Sequence, residues 1–500
     1  MRRNSVSILR IVIRALLVVA ASEEAAGQTG APAPRDLVRR AVEAVGGEQA
    51  LRGLRSTVIE FQSASFGLGQ EETPESPPRA TIGFGRITTD WVGRRQLLSQ
   101  ELRAVSGVVT RQRRVVAGGM GMTDNNGQLS MNAPGAVAAV ERGMQLQPER
   151  VLLAALDQPG GLQALPARRW RGELTDGLRY AIGADTMTLW FDRPTGLLLT
   201  SERVTDDPIL GDRRTVTWYT RWQTAGGIKL PRQVDTEVNG RLLSHNVVTR
   251  AFVNQALEDS LFAIPDSMAA RANRGPATPP VVSVTLNELA PGVWRAEGGN
   301  HFSLVVDQGA GLVVVEAPLG RPRFAAVLDT LRSRFPSKRV TTVVMTHHHW
   351  DHSGGIRTAL AAGILVVAHD RNRAFVRGVA EARKTVAPDA LRGPGGVVVR
   401  GVPDSASVGT GAGRLTLYSL PSAHAEGILA AYLPSARLLF VSDVLSPPAQ
   451  PGQTLAPAGS AELVAFVRAR GLTVERVVGG HGGVASWADV EAAGTAGNRD

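Results

Sequence analysis

The chain has 500 residues, which is too long for one ordinary hydrophobic core and predicts two or more domains. Its apolar fraction of 43% and charged fraction of 20% are typical of a globular protein and exclude wholesale disorder. The net charge of +10 comes mainly from scattered arginines, with only three lysines and no dense basic run, so a nucleic-acid interface is not expected. The absence of cysteine excludes disulfides, a lipidated N-terminal cysteine and thiolate metal ligands.

Residues 1–30 have the pattern of a signal peptide. Two arginines, Arg2 and Arg3, precede a short apolar segment and the small-residue stretch AAGQTGAPAP. Arg10 and Arg14 interrupt the apolar segment and leave it too short for a normal bilayer span. The pattern therefore predicts a periplasmic or secreted protein without a stable membrane span after signal removal. A disordered tail or an uncleaved anchor is the alternative.

Residues 36–265 are predicted to form a mainly antiparallel β domain with helices. Helical spacing marks residues 37–54 and 135–156, and short alternating apolar runs fill the rest of residues 57–257. The pair Asn239-Gly240 is a strong signal for a two-residue hairpin turn. Residues 266–282 are polar, rich in proline and aperiodic, which is typical of a linker.

Residues 283–492 are predicted to form a second domain of the α/β class. Short apolar runs such as GLVVVEA, TTVVM and LLFVSD are typical of strands buried between two layers. Helical patterns at residues 321–335, 355–362 and 461–470 separate these runs. A helix and a strand precede the histidines at both THHH and GGHG, and this internal echo indicates two facing sheets with helices outside.

The histidines are concentrated in this second domain, where eight of the nine lie. Five candidate side chains stand in the stretch THHHWDHSGG. Because alternate residues of an extended backbone point the same way, His347 and His349 can converge on one ion while His348 faces away. Asp351 and His352 follow as the chain turns toward a helix, where they can face a second ion.

Further ligands are needed, because zinc usually takes four and two from one loop do not complete a site. Three distant residues stand in similar positions after strands: His424, Asp443 and His481. His245 and His369 are interpreted as ordinary surface or partly buried residues. His301, in GGNHFSL, is given the same interpretation, with a place on an active-site loop as the alternative.

The motif His-x-His-x-Asp-His, together with these later residues, resembles the metallo-β-lactamase superfamily over about residues 285–490. The resemblance implies an αββα sandwich that holds one or two metal ions, usually zinc, between the sheet edges. It assigns a first ion to His347, His349 and His424, a second ion to Asp351, His352 and His481, and a bridging role to Asp443. Glu316 departs from the family pattern, because relatives commonly carry aspartate there.

The resemblance implies a hydrolase with two zinc ions per chain and a small-molecule substrate. Two ions at such a site lower the pKa of a bound water to about 7, and the hydroxide attacks a carbonyl-type bond in a lactam, lactone, thioester or ester. Asp351 is the predicted catalytic residue, since it can orient the hydroxide and relay its proton. Residues 392–413 and 446–458 are expected to form the walls of the cleft. A mononuclear iron persulfide-type dioxygenase, which shares much of the ligand set, is the alternative enzyme.

The first domain resembles the half-barrel of periplasmic lipoprotein carriers in its strand rhythm and in its closing sequence LFAIP. The resemblance implies an apolar concavity that binds a lipid-like ligand. An auxiliary scaffold without a ligand is the alternative interpretation.

Overall fold

The computed structural model describes residues 32–182, 185–272, 282–391, 395, 397–450 and 453–496. The predicted signal peptide and residues 273–281 of the predicted linker lie outside these ranges. We refer to residues 34–269 as the N-terminal domain and to residues 285–496 as the C-terminal domain. No helix within the described ranges combines the length and the apolar character that crossing a bilayer requires.

The N-terminal domain is built on one thirteen-stranded sheet with the order β6-β5-β4-β3-β2-β1-β15-β14-β11-β10-β9-β8-β7. Every neighbouring pair for which a register is defined is antiparallel, as in β1 and β2, where Ser56 pairs with Asp90. Asn239 and Gly240 link β14 to β15 with φ angles of 48° and 83°, as the Asn-Gly signal predicts. The strands are β1 Ser56–Phe66, β2 Ala80–Asp90, β3 Arg95–Ala104, β4 Val109–Ala117, β5 Met120–Asn125, β6 Gln128–Met131, β7 Leu162–Trp170, β8 Glu173–Ile182, β9 Asp185–Asp192, β10 Leu198–Asp207, β11 Gly211–Thr220, β14 Gln233–Val238 and β15 Arg241–Val253, with β12 Gln223–Ala225 and β13 Ile228–Leu230 as a separate pair.

Helices cover one face of this sheet. Val38, Ala41, Val42 and Val45 are buried and follow the helical spacing of an amphipathic face. Together with buried residues of the helix Pro148–Asp157, they pack in a core that includes Leu178 from β8. The last short helix occupies the start of the predicted linker, so that segment is partly structured. The helices are Pro34–Val45, Glu48–Arg52, Pro134–Gln145, Pro148–Asp157 and Asp266–Ala269.

Glu149, in the first turn of the helix Pro148–Asp157, carries a testable charge effect. Its side chain is buried, and this burial raises the pKa of Glu149 above its ordinary value. The folded protein therefore holds the proton more tightly than the unfolded chain, whose glutamates titrate at about 4.3. The contribution to stability is full below that pH and is lost as the pH rises through the folded pKa.

Glu149→Gln is expected to raise the melting temperature at pH 7.5 by a few degrees, since about 1 kcal/mol shifts a domain of this size by about 2–4 °C. At pH 4.5 the variant and the parent protein should nearly coincide. Thermal unfolding followed by circular dichroism, with a chelator present at both pH values, measures the difference. Equal shifts at the two pH values would instead identify a packing effect.

The C-terminal domain has two sheets. The seven-stranded sheet has the order β16-β17-β18-β19-β20-β21-β22 and the six-stranded sheet runs in sequence from β23 to β28. The strands are β16 Thr285–Ala290, β17 Val293–Glu297, β18 Ser303–Asp307, β19 Leu312–Val315, β20 Val340–Met345, β21 Leu365–His369, β22 Val399–Val402, β23 Ser405–Val408, β24 Leu415–Leu420, β25 Ile428–Leu433, β26 Leu438–Phe440, β27 Arg476–Val478 and β28 Val484–Ser486. The helices are Arg321–Arg334, Trp350–Ser353, Ile356–Ala361, Arg373–Glu381, Pro457–Ala469 and Trp487–Ala496.

These sheets pack face to face with helices on both outer sides. Leu304 and Val306 of β18 lie in the core between the sheets, whereas Val305 packs with Phe324 under the outer helices. This alternation explains the continuous apolar runs, because both faces of each central strand are covered. Val464 belongs to the core under the helices of the other side. The predicted αββα sandwich is confirmed.

The sheet topology brings the candidate site residues to one edge. β19 and β20 are parallel, and so are β26 and β27. Glu316 follows β19, His347 follows β20, Asp443 follows β26 and His481 follows β27. The carboxyl ends of parallel strands meet at the same edge of a sheet, which is where ligands bind in open α/β sheets.

Among the described residues, the two domains touch in two regions. At one, Asp212 Oδ1 and Oδ2 accept hydrogen bonds of 2.7 Å from the backbone nitrogen and Oγ1 of Thr385. Lys384 and Asp206 form an ion pair beside it. At the other, the connection between β1 and β2 reaches the edge of the sandwich that carries the histidines.

Candidate metal centre

The turns that carry the site are held in sparsely populated backbone conformations. Glu316 and Ser442 have φ angles of 71° and 53° although neither is glycine. Such residues cost energy and concentrate at functional sites. Gly480 lets the turn after β27 approach His352 and Glu316 closely. A Cβ at this position would lie 2.8 Å from His352 Cε1 and 3.0 Å from Glu316 Oε2.

His347, His349 and His424 form the first cluster. One ligand atom from each lies within 4.8 Å of the others. His347 Nε2 and His424 Nε2 are 3.3 Å apart. His349 Nε2 donates a hydrogen bond of 2.8 Å to the carbonyl oxygen of Glu71, so its buried Nδ1, which has no hydrogen-bond partner, is the nitrogen free to bind a metal.

Asp351, His352 and His481 form the second cluster, and His301 joins them, with ligand atoms within the same 4.8 Å limit. His352 Nε2 lies 3.2 Å from His481 Nε2 and 3.8 Å from Asp351 Oδ2. His301 Nε2 lies 3.3 Å from the same Asp351 oxygen. The structure thus places His301, from the loop GGNH before β18, beside the candidate ligands, which is the position that the alternative interpretation gave it.

Asp443 lies between the two clusters. Its Oδ1 is 3.0 Å from His352 Nε2 and 3.3 Å from His481 Nε2, whereas its Oδ2 is 3.4 Å from His424 Nε2. Oδ1 is buried and satisfies no hydrogen-bond geometry. A carboxylate with one oxygen toward each cluster is the donor that a bridged pair of cations requires.

The outer nitrogens of the clustered histidines face oxygen atoms. His352 Nδ1 donates a 2.9 Å hydrogen bond to Glu316 Oε2, and His481 Nδ1 donates one of 2.8 Å to the carbonyl oxygen of Asn300. His347 Nδ1 lies 3.1 Å from Thr346 Oγ1. Outer partners of this kind fix the tautomer and direct the inner nitrogen of metal-binding histidines. The donor set therefore fits divalent cations of the zinc type.

Glu316 also resolves the departure from the family pattern. Besides its bond to His352, its Oε1 accepts a 2.8 Å hydrogen bond from Thr346 Oγ1 and another from Ser442 Oγ. The carboxyl group is fully buried, so these three partners satisfy it. The longer glutamate keeps the carboxylate–histidine contact.

Burial keeps the first cluster neutral. It lowers the pKa of His347 well below its ordinary value, and the nearby His352 and His349 lower it further. Burial and the neighbouring His349 lower the pKa of His424 to about 4. Neutral imidazole is the form that binds metal, so these residues need to lose no proton near neutral pH.

Carboxylates dominate the surroundings of His352 in the second cluster. Burial disfavours charge on His352, but Glu316 and Asp443 outweigh it and raise the pKa of His352 to about 11. Burial also opposes ionisation of Asp351, yet the hydrogen bond from His301 and the charge of His352 lower the pKa of Asp351 below its ordinary range. His352 also lowers the pKa of Asp443 against the effect of burial. Both aspartates are ionised at neutral pH.

Three histidines lie outside both clusters. His348 is buried and packs edge-on to Phe375 at 5.9 Å. Its ring is absent from the groups of converging ligand atoms among the described residues, as the alternation argument predicts. His245 pairs with Asp235 at 2.6 Å in the N-terminal domain, and His369 Nδ1 accepts a bond from the backbone nitrogen of Arg371.

His301→Ala is expected to weaken binding of a second zinc ion by about 10-fold, the usual lower bound for losing a close partner of a metal ligand. The first cluster does not include His301, so binding of the first ion should change little. Zinc competition with a chromophoric chelator measures both steps. His245→Ala is the matched control, and identical affinities in the two variants would contradict the placement of His301.

Segment 67–79, which connects β1 to β2, borders the first cluster. A cleft of about 350 Å³ is lined by Ser65, Phe66, Gly67, Gln70, Arg79, Thr81, His349 and His424. Residues 392–413 and 446–458 are the walls predicted from the sequence, and none of their described residues lines this cleft. The contribution of the N-terminal domain was missed, because no local pattern shows which distant loop reaches a site.

Comparison with known proteins finds matches to the C-terminal part of the chain. The family model of the metallo-beta-lactamase superfamily matches residues 296–481. A curated relative, atrochrysone carboxyl ACP thioesterase from Aspergillus fumigatus, is 30% identical over 105 residues, which cover 19% of this chain and 31% of the relative. The matched part thus spans about a third of that relative.

The solved structures that match part of this chain include two metallo-beta-lactamases. The mono-zinc form of FIM-1 from Pseudomonas aeruginosa is 18% identical, with a TM-score of 0.34, and the match covers 44% of this chain and 97% of that one. The enzyme from Pontibacter korlensis is also 18% identical, with a TM-score of 0.34, and the match covers 44% of this chain and 100% of that one.

The family match spans the four motif residues and the three later candidate ligands, from His347 to His481. The resemblance inferred from the sequence is confirmed. The C-terminal domain of this chain is thus similar in sequence to the metallo-beta-lactamase superfamily.

Proposed function

We propose that the protein is a zinc-dependent hydrolase that binds two ions per chain. The observation that supports this most directly is the position of Asp443, whose two oxygens face the two histidine clusters. His347, His349 and His424 would hold one ion. Asp351, His352 and His481 would hold the other. Bound zinc supplies an acidified water and an electrophile that polarises the substrate.

Asp351 is the proposed proton-handling residue. Its Oδ1 accepts a hydrogen bond of 2.7 Å from Gln70 Nε2, and its Oδ2 lies 3.3 Å from His301 Nε2. These two partners fix the plane of the carboxylate. A side chain that is ionised and held in one orientation can accept the proton of an attacking water at Oδ2 and return it to the leaving group.

The proposed substrates carry a carbonyl-type bond: a thioester, lactone, lactam or ester. The thioesterase relative supports placing thioesters first. The chain itself has no cysteine to serve as a nucleophile. A water-based attack at the histidine clusters therefore accounts for hydrolysis without a covalent enzyme intermediate.

Metal analysis and a substrate panel test the proposal. Plasma mass spectrometry of the purified protein should give two zinc ions per chain, and chelation should abolish hydrolysis until zinc returns. A thioester, a lactone, a β-lactam and an aryl ester make the panel. One iron ion per chain, with oxygen consumed in the presence of a persulfide, would favour the dioxygenase alternative instead.

We further propose a hydrophobic-ligand role for the N-terminal domain. A cavity of about 670 Å³ lies between the sheet and the helix Pro134–Gln145, and its lining includes Ile59, Phe61, Met144 and Val248. Arg114 and Glu149 also line the cavity, and the apolar part of the lining suits the body of an acyl chain. Solvent extraction of the purified protein followed by mass spectrometry should find a co-purifying hydrophobe, and a clean extract would favour the scaffold alternative.

We also propose export to the periplasm or the medium, on the pattern of residues 1–30. Edman sequencing of the protein from a periplasmic fraction should begin within the small-residue stretch around residues 25–34. A cytoplasmic protein that retains Met1 would overturn this proposal.

A further inference from the structure

Segment 67–79 of the N-terminal domain lies directly on the metal centre of the C-terminal domain. It approaches the residues around both clusters through main-chain and side-chain hydrogen bonds. These bonds run from Gln70 Nε2 to Asp351 Oδ1 (2.7 Å), from His349 Nε2 to Glu71 O (2.8 Å), from the Glu426 nitrogen to Glu72 O (2.8 Å) and from Arg79 Nη2 to Ala423 O (2.8 Å).

The segment is anchored within its own domain. The Glu71 side chain is 1% exposed and pairs at 2.5 Å with Arg241 of β15. Thr73 and Ser76 close a local turn through a 2.8 Å bond between their hydroxyls. A buried carboxylate is costly to maintain unless it is paired, so the Arg241 contact fixes where the Glu71 carbonyl stands.

Two of these bonds act on candidate metal ligands. The Glu71 carbonyl accepts the proton of His349 Nε2 and so selects the tautomer that leaves Nδ1 as the lone-pair nitrogen. The Gln70 amide holds one oxygen of Asp351 and leaves the other toward His301 and His352. Histidine and carboxylate ligands are oriented in this way by their outer hydrogen-bond partners. Here those partners come from a different domain, about 280 residues away along the chain.

We propose that Gln70 and Glu71 are positioning residues of the metal centre, and that the N-terminal domain thereby completes the active site. Segment 67–79 also forms one wall of the cleft in front of His349 and His424. This inference rests on the metal-binding roles given under the proposed function. It adds that the C-terminal domain alone holds the ligands less firmly than the full chain does.

Variants of Gln70 in the full chain separate positioning from packing. Gln70→Ala removes the hydrogen bond to Asp351, and zinc affinity at the second site should fall by about 10-fold. Gln70→Met keeps the length and the packing of the side chain but loses the N–H donor to Asp351. It should weaken zinc binding as much as alanine does. A purely structural role predicts instead that methionine restores the affinity, because it preserves the packing.

Thr385→Val is the matched control. It removes a hydrogen bond at the other contact between the domains, which does not involve segment 67–79. Chelator competition with zinc gives the affinities. The visible spectrum of the cobalt-substituted protein reports the ligand geometry independently of turnover, and it should change in both Gln70 variants but not in Thr385→Val.

The outcomes distinguish this inference from the proposed function. If the parent protein binds two zinc ions and hydrolyses a substrate, but the Gln70 variants match Thr385→Val in affinity and cobalt spectrum, the positioning role is wrong and the hydrolase proposal stands. If the parent protein binds no divalent metal at the clusters, both fail together.

Discussion

Replacing His347 or His424 with alanine is expected to abolish binding of the first ion and nearly all hydrolysis. Each supplies an Nε2 atom to the first cluster, and the two atoms lie 3.3 Å apart. Either variant leaves the first ion two histidines and the oxygen of Asp443 that faces this cluster, one ligand short of the four that zinc usually takes. Metal content by plasma mass spectrometry should fall from two ions per chain to one or none in either variant.

His348→Ala supplies the control for that experiment. His348 stands between the candidate ligands His347 and His349 in sequence, yet its ring packs against Phe375 and lies outside both clusters. The variant should keep two ions and lose only folding stability, on the order of 2 kcal/mol for a large buried side chain. Equal metal loss in all three variants would show that the alternation of side chains along this loop had been misjudged.

Asp443→Ala is expected to weaken both ions, because its two oxygens face different clusters. The effect on metal content should exceed that of His301→Ala, which concerns the second cluster alone. Asp443→Cys should retain more zinc than alanine does, since a thiolate also binds zinc. Titration with a chromophoric chelator, which resolves the two binding steps, measures these differences.

The competing explanation for Asp443 is a cap at the end of β26. A cap predicts that both substitutions retain two ions and near-normal turnover, with a stability loss of about 1 kcal/mol. Thermal unfolding of the metal-free variants and of the metal-free parent protein measures this stability loss. Two tightly bound ions in Asp443→Ala would end the bridging assignment.

The sequence was sufficient for features that depend on local spacing. The apolar runs predicted the buried strands, because both faces of β18 and its neighbours are covered. The alternation at His347, His348 and His349 predicted which rings converge. The positions after strands predicted that Asp443 and His481 would reach the same edge, since strand ends meet there in a parallel arrangement.

Features that depend on long-range packing were not predictable in this way. His301 precedes β18, and only the pairing of β17, β18 and β19 places it beside Asp351. Gln70 and Glu71 lie in a polar connection between two strands of another domain. Their proposed role depends on the contact between the two domains, and no local periodicity or motif in the sequence predicts that contact.

The hydrogen bond between His349 and the Glu71 carbonyl makes metal affinity and domain association reciprocal quantities. If association of the two domains strengthens metal binding, metal binding strengthens the association of the domains by the same free energy, because the two equilibria form a thermodynamic cycle. A metal-loaded chain therefore has its two domains held together more tightly than a stripped one. Loss of zinc would then affect the metal centre and would also weaken the association between the N-terminal and C-terminal domains.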